Sequence, residues 1–185
     1  MSNSANEKLP FIFGRRSVRI YAPGPIADET LTTLLQAAMA APSAMTKDPW
    51  RFVVVREPAL LAAMAAALPG GKMLATATLA ILACGDLDAA FERHPSYLLQ
   101  DCSAAIENLL LAAHSLGLGA CWVGIHPSPD AIGLIRKMFS LPAPVVPIAA
   151  IALGLPGETL PPRTRYNPDF VHWGKWQAIP EGLNR

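Results

Sequence analysis

Along this chain the spacing of apolar positions changes from segment to segment, and the changes mark out its elements. Between residues 28 and 41, Leu31, Leu34, Leu35, Ala38 and Met39 recur at the interval of a helix buried on one side. Asp28 serves as its N-cap or first-turn acid, and Pro42 ends it. Arg51-Phe52-Val53-Val54-Val55 is a β-branched strand. An Ala/Leu-rich helix over 57–68 stops at Pro69-Gly70-Gly71. The nearly uniform apolar run over 78–84 predicts a second, central strand. A long, small-residue-rich helix follows over 96–116, with Ala104, Ala105, Leu109, Ala112, Ala113 and Leu116 on its packed side. It carries few charges (Asp101 and Glu107), and Asn108 needs a hydrogen-bond partner if buried. Gly117-Leu118-Gly119 closes this helix. The next strand, 120–125, contains Gly124, which marks a bend or a close approach of backbone. Ser128-Pro129 opens a helix to about 140, with Ile132, Ile135, Met138 and Phe139 inward, and 147–154 is the last strand. Four strands interspersed with helices predict α+β or α/β, one sheet between helical layers.

From residue 156 onward the pattern breaks down. This stretch is proline-rich and irregular, yet it carries Tyr166, Phe170, Trp173 and Trp176. So much apolar area is not left in water, so the tail wraps its own subunit or a neighbour. Length supports one domain over 1–185, with an arm from about 156. At 52% hydrophobic and 16% charged, the chain is ordered, and the low charge hints at surface hidden by a second copy of itself. A net charge of +1 without a basic run argues against a broad nucleic-acid footprint or a polybasic membrane anchor. Cys84, Cys102 and Cys121 are odd in number and far apart, and are expected to be buried free thiols in a reducing compartment. No signal peptide or bilayer-spanning run is recognised, so the expectation is a soluble, cytoplasmic protein.

The chemistry narrows by elimination. His94, His114, His126 and His172 lack metal-ligand spacing, so no metal site is expected. The serine-hydrolase elbow, the phosphate-cradling lysine loop and the dinucleotide glycine fingerprint are all absent. What remains is basic. Arg15-Arg16-Ser17-Val18-Arg19 would, if extended, set Arg15, Ser17 and Arg19 on one side and Arg16 on the other. Guanidinium forks suit a phosphate or a planar anion. Taken alone, the stretch is more simply a solvated basic turn. A second pair, Arg163 and Arg165, and a loop bracketed by Pro42 and Pro49 before Trp50 shift the balance. Trp50 itself fits a core anchor. Lys72 is either a solvated turn residue or a ligand contact. Anion contacts without an acid, base or nucleophile point to a cofactor that carries the chemistry.

These residues, in this order, resemble the FMN-dependent nitroreductase family in its short single-domain form. The 15–19 stretch resembles the family's Arg-x-Ser-x-Arg/Lys motif. Ala41-Pro42-Ser43-Ala44 through Pro49-Trp50 resembles its second motif. The region from Asp101 to Gly124 resembles its central helix and following strand, and Arg163-Thr164-Arg165 its C-terminal basic pair. Likeness extends from about residue 13 to 176.

The resemblance implies an α+β three-layer α/β/α sandwich around a mixed, largely antiparallel sheet, with the C-terminal arm wrapping a dimer partner. It implies a homodimer with FMN at the interface and NAD(P)H as reductant. Electrons would pass by a ping-pong mechanism to a nitroaromatic, quinone or similar small acceptor. Arg15, Ser17, Arg163 and Arg165 would hold the phosphate and ribityl chain, with Arg16 alongside packing or pairing. Arg19 and Lys72 would sit at the pyrimidine side of the ring. Pro42, Ser43 and Ala44 would come from the opposite subunit, and the backbone near Val123 and Gly124 would face flavin N5. Thr46 and Asp48 stand where the family often has Asn and Gln, both near the flavin; the acid could turn to Lys47, Arg51 or an arginine across the dimer. Non-catalytic FMN storage or sensing, and a different flavin reaction such as dehydrogenation or reductive dehalogenation, are alternatives on the same scaffold.

Overall fold

The computed structural model describes residues 9–176. Its elements are α1 (Pro10–Gly14), β1 (Tyr21–Ala22), α2 (Asp28–Met39), β2 (Trp50–Val55), α3 (Pro58–Ala67), β3 (Leu79–Asp86), α4 (Pro95–Ser115), β4 (Gly119–Gly124), α5 (Pro129–Met138) and β5 (Val145–Pro156). Strand β5 is the spine of the sheet. It pairs antiparallel with β3 on one side and β4 on the other, while β2 extends the sheet beyond β3. The short β1 joins the far end of β5, pairing Tyr21 with Pro156 and Ala22 with Leu155.

Alternation along the strands builds two cores. Leu79, Ile81 and Ala83 of β3, with Ala149, Ile151 and Leu153 of β5, pack against α2 and α4. Ala80, Leu82 and Cys84, with Ala150 and Ala152, pack against α3 and α5. Both faces being covered explains why these strands read as unbroken apolar runs rather than alternating ones. The result is the three-layer α+β sandwich. Among the described residues the strand-to-strand pairings are all antiparallel, and the parallel component is one isolated bridge, Ser17 to Ala120.

Several expectations are corrected. Phe11-Ile12-Phe13 lies in the short helix α1, and β1 adds a fifth strand. Two-residue pairing and a single helical turn are below what periodicity can register. Of the two roles open to Asp28 the structure keeps the first-turn acid, with Ala27 at the N-cap. Met39 and Leu116, placed on packed faces, are about half exposed. Asp101, one of the few charges on the long helix, is only 5% exposed. Other details hold. Asn108 donates to the Ala37 carbonyl at 3.2 Å, tying α4 to α2, and Ser128 caps α5 by accepting from the Ala131 N–H. Trp50 is buried in the first core. All three cysteines are free and buried. Burial pushes the Cys84 and Cys102 thiols up to about 12.

The arm behaves differently from the sandwich. Residues 157–163 of the tail run along residues 13–20 of the same chain, but Tyr166, Phe170, Trp173 and Trp176 are each more than 70% exposed and stay uncovered by it. Phe11, Ile12 and Phe13 of α1 are exposed as well. Among the described residues no helix is long and apolar enough to cross a membrane.

Candidate functional site

The segment leading out of α1 lies along the free edge of β4. Ser17 bridges to Ala120, and the Val18 N–H donates to the Ala120 carbonyl at 3.0 Å. Gly119 makes this possible: a Cβ there would fall 2.7 Å from Val18 Cγ1. After β5 the chain doubles back along the same segment. The Gly157 N–H donates to the Ile20 carbonyl at 2.8 Å, and the Arg163 N–H to the Phe13 carbonyl at 2.9 Å. Residues 145 positions apart in sequence are thereby brought into contact, with the Arg16 guanidinium donating to the Pro161 carbonyl.

Between these two strands of backbone is a cleft of about 690 Å³. Arg15, Arg16, Ser17 and Arg19 line it from one side, and Arg163 and Arg165 from the other. Ile20, Glu158 and Leu160 complete the wall. The expected alternation is not kept, because Arg16 reaches the cleft as well as its neighbours. A single bridge to β4 does not impose the regular pleat of a strand. Five guanidiniums against the one lining carboxylate make the cleft strongly electropositive. Arg15 is held through Nε by Glu107 of α4 at 3.3 Å, a half-exposed pair that orients more than it stabilises. Arg19 Nη1 folds back to the Ser17 carbonyl at 3.2 Å.

Beneath the segment lies a layer of neutral polar groups. The Tyr21 hydroxyl is 2.9 Å from the Val18 carbonyl and 3.2 Å from that of Ala152. Its pKa is raised, chiefly by burial. The Cys121 thiol lies 3.7 Å from the Trp122 carbonyl and is likewise pushed up by burial, against the lowering pull of Arg19, Ser17 and Arg15. Neither group adds charge to the cleft.

The other candidate residues are elsewhere. Pro42, Ser43, Ala44 and Thr46 belong to the loop between α2 and β2 and do not line the cleft. This loop has its own anchor. Asp101 Oδ1 accepts from the Ala44 N–H at 2.9 Å, while Asp101 Oδ2 is buried without a partner. Ser43 Oγ donates to Asp48 Oδ1 at 2.5 Å and accepts from the Asp48 N–H at 3.0 Å. The Asp48 carboxylate therefore turns to Ser43, and Arg51 instead pairs with Asp86 at 3.0 Å. Met45, Thr46 and Asp48 all adopt positive φ. Three such residues in one loop, one of them β-branched, concentrate backbone strain, as binding loops often do. Lys72 is exposed at the start of a 3-10 turn whose Met73 and Leu74 belong to the second core, away from the cleft. Val123 and Gly124 end the edge strand on which Ser17 rests. They are three and four residues beyond Ala120, or roughly 10 and 13 Å at the rise of a strand. A Cβ at Gly124 would meet nothing within 4 Å, so no close approach comes from this chain.

Sequence reasoning missed Ile20, Glu158 and Leu160 as cleft residues, and Asp101 and Glu107 as anchors. Each belongs to an irregular segment or to a helix face whose neighbours are remote in sequence, so no local period marks them. Among the described residues no group of three or more His, Cys, Asp or Glu could hold a metal ion.

Comparison with known proteins agrees with this architecture. The profile of the Nitroreductase family matches residues 12–155. A protein of Methanothermobacter thermautotrophicus, provisionally named NADH dehydrogenase/NAD(P)H nitroreductase, is 42% identical over 173 residues, covering 94% of this chain and 90% of its own. A crystal structure from Bacteroides thetaiotaomicron under the same provisional name is 40% identical, with a TM-score of 0.86, covering 95% of this chain and all of that one. A provisionally named nitroreductase of Desulfovibrio desulfuricans, solved in complex with FMN, is 30% identical, with a TM-score of 0.78 over 96% of this chain and all of that one.

Proposed function

The chain belongs to the nitroreductase family, and from that premise we propose that it is an FMN-dependent oxidoreductase. It would use NAD(P)H as reductant and a nitroaromatic, quinone or similar small molecule as acceptor, by a ping-pong cycle. One observation carries the reading: arginines from both ends of the chain converge with Ser17 on one electropositive cleft.

The residues present fit FMN. A phosphate dianion needs several charge-assisted donors, and Arg15, Ser17, Arg163 and Arg165 supply them from two sides. When bound, FMN supplies the redox chemistry, taking a hydride equivalent from the nicotinamide and yielding two electrons to the acceptor. Arg19 would serve the pyrimidine edge, where a fixed cation favours the state that carries negative charge. Val123 and Gly124 lie further along the β4 edge, at a distance suited to the ring end of a ligand anchored beside Ser17. The bare edge of Gly124 leaves its backbone open to such a ring.

The same reading makes the protein a homodimer. The aromatic residues of the arm and of α1 are exposed and need cover. Pro42, Ser43, Ala44 and Thr46 would then border the ring in the partner's cleft, which accounts for a strained loop that takes no part in its own. The test is anaerobic mixing of the purified protein with NADH and with NADPH, followed by a panel of acceptors. Yellow protein whose flavin band bleaches and recovers with an acceptor is expected. Colourless protein without affinity for added FMN would refute the reading, and bound flavin that neither nicotinamide reduces would mean a storage or sensing role.

A further inference from the structure

The cleft contains one group whose charge opposes everything else in it. Glu158 Oε1 accepts from two successive backbone amides, Arg19 at 2.6 Å and Ile20 at 3.1 Å. Adjacent N–H groups converging on one oxygen form an anion-binding nest, and here the anion is the chain's own carboxylate. The neighbouring Gly157 N–H donates in the opposite direction, to the Ile20 carbonyl at 2.8 Å. Residues 157 and 158 thus clamp residues 19 and 20 from both polarities. Glu158 also lines a smaller adjoining cavity of about 230 Å³, together with Arg16 and Leu160, so it stands in the wall between the two spaces.

We propose that Glu158 is a positioning residue for the anionic ligand of the arginine cleft, acting through the backbone of Arg19 and Ile20; this rests on the FMN reading above. Without the Glu158 carboxylate, residues 15–20 stay tied at Ser17 and Val18 and through the Ile20 carbonyl to Gly157, but the Arg19 and Ile20 N–H groups between those ties lose their acceptor. With it, Arg15, Ser17 and Arg19 are presented together before the ligand arrives, which lowers the ordering cost of binding. The arrangement has an electrostatic cost, since a carboxylate beside the ligand repels its negative charge.

These two effects have opposite signs, and substitution separates them. In Glu158→Gln the amide oxygen still accepts from both N–H groups while the charge is gone. In Glu158→Ala both are gone. Arg19 and Ile20 are exposed, so their freed amides can turn to water and the fold survives. FMN titration is expected to give Glu158→Gln an affinity equal to or tighter than the parent's. Glu158→Ala is expected to bind about tenfold more weakly despite having lost the same repulsive charge. Equal or tighter binding in Glu158→Ala would overturn the proposal, as would equal weakening in both variants. Amide hydrogen exchange without FMN provides an independent reading. Arg19 and Ile20 should exchange slowly in the parent and in Glu158→Gln, and fast in Glu158→Ala. Equal exchange in all three would overturn the clamp itself. A parent that does not bind FMN but keeps the exchange contrast would refute the flavin reading while leaving the clamp in place.

Discussion

The cleft around residues 15–20 and the loop over 42–48 are assigned to the same ligand, yet they are built in opposite ways. The cleft is assembled within one chain from segments about 145 residues apart, joined by backbone hydrogen bonds and aimed at one space. The loop is held to α4 through Asp101 and by its own internal bond from Ser43 to Asp48, and it does not line the arginine cleft. The first region gathers cations on one space, and the second is a strained loop apart from it. On the proposed reading, charge recognition would be satisfied by one subunit, whereas enclosure of a flat ring would be divided between two.

The largest effect should come from the cleft. Removing Arg163 and Arg165 together, by Arg163→Ala and Arg165→Ala, is expected to weaken FMN binding about 100-fold in a fluorescence titration, because two charge-assisted contacts are lost. A change below about threefold would mean that the phosphate lies elsewhere. Ending the chain at residue 165 keeps that pair but removes the exposed aromatics of the arm, and light scattering should then report monomers. A dimer that persists would assign the interface to other surfaces.

Arg19→Ala should divide the cleft itself. Its FMN affinity is expected to stay within about threefold of the parent's while flavin reduction by NAD(P)H slows about tenfold. Arg163→Ala alone should show the reverse pattern, and an exchange of the two patterns would mean that their roles are swapped.

The loop should respond in stability more than in affinity for phosphate. Asp101→Ala leaves the Ala44 N–H without its acceptor, at a cost of about 1–3 kcal/mol. For a domain of this size that is a fall in Tm of roughly 2–4 °C per kcal/mol. Asp101→Asn keeps an acceptor oxygen and should lose less, which differential scanning calorimetry can resolve.

A last effect belongs to neither region, leaves the protein unchanged at neutral pH and serves as a control. Cys84 and Cys102 have thiols raised by burial from an ordinary value of 9.0 to about 12. Between those pH values the unfolded chain releases protons that the folded chain retains, so stability should be unaffected below about pH 9 and fall as pH rises toward 12. The slope is at most about 1.4 kcal/mol per pH unit for each thiol. Urea midpoints at pH 8 and pH 10.5 measure it, and Cys102→Ala should flatten the decline.

Much of this comparison was legible in the sequence, for a physical reason. The helices over Asp28–Met39 and Pro95–Ser115 and the buried strands announce themselves because periodicity and β-branching are local signals. The arginines of the cleft are recognisable by type and spacing, and likeness to a family joined the two ends of the chain before any coordinates did. What could not be read was who holds whom. Glu158 is an unremarked acid in an irregular tail, and Asp101 looked like one charge on a long helix, yet one clamps the cleft and the other anchors the loop. Both act on backbone amides remote in sequence, and an amide carries no residue identity for a pattern to reveal. Asp48 was offered to Lys47, Arg51 or a partner's arginine, when its nearest donor was the hydroxyl of Ser43, brought to it by the positive-φ turn of the loop.

The most direct test of a divided site is complementation between two defective chains. One chain carries Arg163→Ala with Arg165→Ala, which disables its cleft, and the other carries Ser43→Trp, which obstructs the loop. Each homodimer would then have a defect in both of its sites. In the mixed dimer one site inherits both defects, while the other combines an intact cleft with an intact loop. Tagged co-expression and purification of the mixed species is expected to recover about one FMN per two chains, with NAD(P)H oxidation returning to about half of the parent's. A mixed dimer as empty and inactive as its two parents would contradict the account, because cleft and loop would then have to serve the same chain.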